Sequence, residues 1–233
     1  MALAGQDGTT DGYELVPLRP GLAAGEAPLA AATVLLRRRS PRPTRRGVLH
    51  LRTARDTPAP SDLASWFTER GFHFYVAAVR WPRAARGPAL AAAFTDLDAR
   101  CQHLRTADGI DNVIVTAHGE GAMAAARWCA SPLPGSAPDA LVLYAPSFGR
   151  AVPRDLDIRC PVLVIGGGAG RRPLRRAPAG GTVHLGRHVT WLRHADGEAR
   201  PDARDPADRT RFFDELGRWL GAYMYGQARD QLL

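Results

Sequence analysis

The chain has 233 residues and a formal net charge of +8, with 45% hydrophobic, 23% charged and 7% aromatic residues. These are globular proportions, and they exclude a collagenous, low-complexity or wholly disordered chain. No apolar run approaches the roughly 20 residues of a membrane-spanning helix, and a core of this size needs no disulfide or metal staple.

The opening segment MALAGQDGTTDGYE carries acids and lacks the basic and apolar regions of a secretory signal. Residues 1–12 read as a flexible arm, 13–226 as one domain and 227–233 as a tail, and the expected compartment is the cytoplasm. Strands are expected at Tyr13–Leu18, Thr33–Arg37 and Gly47–Leu51. They are separated by turn-rich stretches without helices, so they are expected to run antiparallel to the rest. A helix follows at Ser61–Arg70, closed by Gly71. Next come a strand at Phe72–Val79 and a helix at Ala89–Thr106, with apolar positions Leu90, Ala93, Phe94, Leu97, Cys101 and Leu104 at helical spacing. Beyond them lie a strand at Asn112–Ala117, a helix at Gly121–Ala130, and strands at Ala140–Ala145, Pro161–Gly166 and His188–Leu192. A helix at Asp208–Tyr225 closes the domain. Continuous runs such as VIVTA, LVLYA and VLVIG read as strands covered on both faces. Strands alternating with helices imply an α/β fold, a mostly parallel sheet with helices on both sides.

All 31 basic residues are arginine, as codon choice in a GC-rich genome would leave them. Two clusters stand out, RRRSPRPTRR at 37–46 and RRPLRR at 171–176. Either could hold an anion, although no helix-turn-helix, finger or aromatic RNA-binding motif accompanies them. The three cysteines, Cys101, Cys129 and Cys160, show no metal-type spacing and do not form a disulfide framework. Cys129 reads as core.

The informative segment is DNVIVTAHGEGAMAAARWC, a buried strand running through a turn of small residues into a small-residue helix. It resembles the nucleophile elbow, G-x-S-x-G, of the α/β-hydrolase family. GFHFYVAAVRWP, RCPVLVIGGGAG, HVTWLRH and RFFDELGRWLGAY follow that family's order, so the resemblance covers nearly the whole chain from about residue 30. It implies an α/β-hydrolase fold. The connection from Ala145 to Pro161 leaves no room for a helical cap, so any pocket would be shallow and open to water.

The resemblance places Ala117, His118, Gly119, Glu120 and Gly121 on the motif, with Gly119 at the nucleophile position. Glycine reaches positive φ there without the strain of about 1–3 kcal/mol that a serine bears, but it carries no attacking atom. The acid position falls at Gly170, and no Asp or Glu occurs between Arg159 and Ala195. The base position falls at Ala199, with His194 as the alternative. Where relatives often carry His-Gly beside the oxyanion hole, this chain has Arg52-Thr53. Glu120 is expected as a buried acid favoured by the positive helix end, and His118 and His184 as structural.

Three readings follow. The first is a protein without the Ser-His-Asp triad that binds a small molecule or serves as an interaction scaffold, with no cofactor and no metal. His118, Glu120, Ser147, Arg52 and Thr53 are its pocket candidates, and the final helix and tail are a candidate homodimer contact. The second is an esterase, peptidase-like hydrolase or cyclase using Glu120, Ser147 and His194. The third is an anion or nucleic-acid binder acting through the arginine loops.

Overall fold

In the computed structural model the described residues are 12–18, 34–42, 44–53, 61–79, 87–144, 156–166, 189–193, 201 and 203–230. Eight strands form one sheet: β1 (Glu14–Pro17), β2 (Val34–Arg38), β3 (Arg46–Thr53), β4 (His73–Val79), β5 (Asn112–His118), β6 (Ala140–Tyr144), β7 (Val162–Gly166) and β8 (Val189–Arg193). Four helices accompany them: α1 (Ser61–Glu69), α2 (Pro88–Thr106), α3 (Gly119–Cys129) and α4 (Pro206–Asp230). The strand order is β1-β2-β4-β3-β5-β6-β7-β8.

From β4 to β8 every pairing is parallel, whereas β1–β2 and β2–β4 are antiparallel. This corrects the expectation for the opening strands, because only β2 opposes the others. Two successive reversals return β1 to the common direction. β3 is parallel because the α1 crossover carries the chain back to the same end of the sheet before β4 begins.

Alternation along the strands divides the core. Val48, Ile114, Val142 and Leu163 face α1 and α4, where they meet Phe67, Phe212, Leu216 and Leu220. Leu49, Val115, Leu141 and Val164 face α2 and α3, where they meet Leu97, Cys101, Ala122 and Trp128. Cys129 is buried in this second layer, as the sequence indicates.

Helix limits differ from the sequence reading by one to five residues, and two of the differences matter here. α3 begins at Gly119 rather than Gly121, because the turn leads from strand to helix without a loop. α4 continues to Asp230, so the expected domain limit at 226 falls inside it. Gly226 costs the helix about 1 kcal/mol, too little to end it without a capping turn, and Gln227, Ala228 and Arg229 are good helix formers.

The β2–β3 arginine cluster is tied into the fold. Arg37 pairs with Glu14 and Asp108 at 2.7 and 2.6 Å, and Arg39 also reaches Glu14 at 2.7 Å. Arg38 donates to Ser65 Oγ, Arg45 pairs with Asp111, and Arg46 lies over the Phe72 ring. The second cluster, 171–176, lies outside the described residues.

Candidate functional site

In an open parallel sheet, ligands bind beyond the carboxyl ends of the strands, where neighbouring connections leave in opposite directions. Here that point lies between β3 and β5. β3 leads into α1 on one face of the sheet, and β5 leads into α3 on the other. Residues 52–53 and 118–121 end up at this crevice because Leu51 is in register with Ala117.

The turn itself is sharp. His118 is extended, with φ −118° and ψ 150°, and stands at the N-cap of α3, where its side chain makes no capping hydrogen bond. Gly119 follows at φ +54°, a backbone conformation that side chains with a Cβ resist. An added Cβ at Gly119 would meet nothing within 4 Å among the described residues. Gly121 is different. A Cβ there would stand 3.2 Å from the Leu51 carbonyl oxygen and 3.6 Å from Thr53 Cγ2, so glycine lets α3 start close against the β3 backbone. Ala117, beside the turn, is fully buried.

The side chains around the turn fall on two sides. Thr53 is buried on the α3 side near Gly121. Arg52 alternates onto the other face with Val48 and His50 and is half-buried. His118 is half-buried, its ring 5.1 Å from that of Tyr144, its register partner on β6. Glu120 is exposed in the first turn of α3, which corrects the expectation of a buried acid. A carboxylate is stabilised by the helix N-terminus while keeping its hydration, so burial is not required.

Sequence reasoning missed the layer beneath. His50 is 3% exposed, and its Nδ1 shares a 2.9 Å hydrogen bond with Thr116 Oγ1. Its ring stacks between Phe74 and Tyr144, with centroids 5.9 and 6.1 Å away, and Phe212 meets Tyr144 edge-on. A histidine inside the apolar run GVLHLRT was the available signal, since period-two alternation sets it on the face that Arg52 occupies. His118 thus sits on an aromatic floor that reaches back to β4.

Of the remaining site residues, Ser147, Gly170, His194 and Ala199 lie outside the described residues, as do His184 and His188. Among the described residues, no group of three or more His, Cys, Asp or Glu side chains is arranged to hold a metal ion. None of the described helices is long and apolar enough to cross a membrane.

No protein-family model matches the sequence, and no curated protein matches it. Solved structures do. A hormone-sensitive lipase from a metagenome library is 15% identical with a TM-score of 0.60, covering 92% of this chain and 87% of its own. A carboxylesterase from Mesorhizobium loti is also 15% identical, with a TM-score of 0.56 and coverage of 88% and 99%. An alpha-beta serine hydrolase homologue from Coxiella burnetii is 12% identical, with a TM-score of 0.54 and coverage of 80% and 89%. At such identities the likeness carries the architecture alone, and together with the strand order it establishes that this chain has the α/β-hydrolase fold.

Proposed function

We propose that this chain descends from hydrolases, lacks a working Ser-His-Asp triad, and acts as a small-molecule binder or interaction scaffold. The observation that carries this reading is Gly119. It occupies the positive-φ turn between β5 and α3 and offers no oxygen or sulfur to attack a carbonyl. The lack of any Asp or Glu between Arg159 and Ala195 supports it further, since an acid is needed to orient the base. Losing one triad member typically costs about 10⁴–10⁶ in turnover. What such a protein retains is a crevice at the ends of β3 and β5, floored by the Tyr144–His50 stack and edged by Arg52, His118 and Glu120.

A second reading draws on the exposure of Glu120 beside Gly119. A carboxylate there could move a proton without forming a covalent intermediate, with Ser147 and His194 as the other candidates. Fluorophosphonate labelling and p-nitrophenyl ester turnover test the inactive reading, which expects neither above background. Labelling abolished by Ser147→Ala, or ester turnover abolished by Glu120→Gln, would overturn it. Native mass spectrometry of the purified chain and light scattering then separate a retained small molecule from self-association.

A further inference from the structure

The chain leaving β2 is fastened to the turn between α1 and β4 by a compact set of hydrogen bonds at the opposite end of the sheet from the crevice. Ser40 is buried, and its Oγ donates to the Thr68 carbonyl at 3.0 Å while accepting from the Arg42 N–H at 3.2 Å. Thr44 Oγ1 donates to the Gly71 carbonyl. Gly71 sits at φ +89°, and a Cβ there would stand 3.0 Å from the Thr44 methyl. The remaining tie has a different chemistry. The Ser40 N–H donates to His73 Nδ1 at 3.2 Å, which requires that nitrogen to carry no proton.

We infer that the Ser40–His73 hydrogen bond is an acid-released latch: protonating the imidazole turns its acceptor into a donor and frees the chain after β2 from the start of β4. An imidazolium Nδ1–H would face the Ser40 N–H, two donors with no acceptor between them. The charged surroundings act in both directions. Arg37 and Arg39 oppose a positive ring, whereas Asp108 and a hydrogen bond to the Thr44 backbone favour it. Arg45 is occupied by Asp111, and Arg46 lies over Phe72. Burial is the largest influence and, with the arginines, holds His73 below the usual histidine range. The bond is therefore intact at neutral pH and lost as pH falls through the depressed His73 midpoint. The opening is local, because the Thr68 and Gly71 carbonyls keep their partners.

Amide hydrogen exchange on the full chain tests this. Ser40 protection, corrected for intrinsic exchange, should fall by up to about tenfold per pH unit from the ordinary histidine range down to the His73 titration midpoint and level off below it, while Val115 in central β5 stays protected. His73→Asn keeps an acceptor oxygen and does not titrate, so its Ser40 protection should be flat over the same range. Should that variant fail to fold, Arg39→Gln serves instead. It should raise the His73 ring titration followed by NMR and shift the loss of Ser40 protection by the same amount. Ser40 protection that ignores pH, that falls equally in His73→Asn, or that does not follow the ring titration in Arg39→Gln would overturn the latch.

Discussion

The first turn of α3 rests on the backbone of β3: Gly121 leaves 3.2 Å between where its Cβ would be and the Leu51 carbonyl oxygen. Two residues earlier, a Cβ on Gly119 would meet nothing within 4 Å among the described residues, but the backbone angle there is one that side chains resist. Two glycines in one turn are thus required for opposite reasons. Gly121→Ala should destabilise by about 1–3 kcal/mol through overpacking. Gly119→Ala should cost about 1 kcal/mol through backbone strain alone. Asparagine separates the two causes in urea unfolding. Gly119→Asn should be milder than Gly119→Ala, because asparagine tolerates the left-handed region, while Gly121→Asn should be worse than Gly121→Ala.

Gly119→Ser restores an attacking oxygen at the turn. On the proposed function it gains no esterase activity, because neither a base nor its orienting acid is supplied. Turnover of p-nitrophenyl acetate clearly above that of the unmodified chain would show that a working base already faces the turn.

Asp98 is a buried structural carboxylate. It accepts from Trp128 Nε1 at 2.9 Å and the Leu133 N–H at 3.1 Å, and also from Ser136 Oγ, joining α2, α3 and the connection to β6. Asp98→Ala strands the Trp128 Nε1 and Leu133 N–H donors, while the Ser136 hydroxyl keeps the Leu133 carbonyl at 2.7 Å, and it should cost about 3 kcal/mol. Asp98→Asn keeps one acceptor and should cost less. Equal losses for the two variants in urea unfolding would argue against this account.

The chain should be sensitive to alkali. Burial pushes the Cys101 and Cys160 thiols up to about 12 and raises Cys129 as well. Burial likewise pushes the Tyr223 phenol up to about 12 and raises Tyr75, whose hydroxyl is bonded to Asp108. Each group ionises earlier in the unfolded chain, so between pH 9 and 12 the unfolded state holds fewer protons and stability falls as pH rises. Tyr223 also accepts from Asn112 Nδ2 at 2.8 Å. In Tyr223→Phe the decline above pH 10 should be shallower, by one proton's contribution, than in the unmodified chain.

Residue order alone determined much of this molecule. The apolar runs located the described strands, helical spacing together with end signals located the described helices, and a glycine stands at the turn whatever the fold around it. Strand direction at the edge was another matter. A turn-rich stretch signals a reversal but does not say which neighbour the next strand will join, so β1 and β3 were misjudged while β2 was not. The exposure of Glu120, the His50–Thr116 hydrogen bond and the pairing of Arg37 with Glu14 and Asp108 were likewise decided by tertiary structure. His50 and Thr116 are 66 positions apart in the chain, and Arg37 and Asp108 are 71 apart. Local pattern specifies which face a residue presents, whereas only the parallel register of the sheet determines what that face meets.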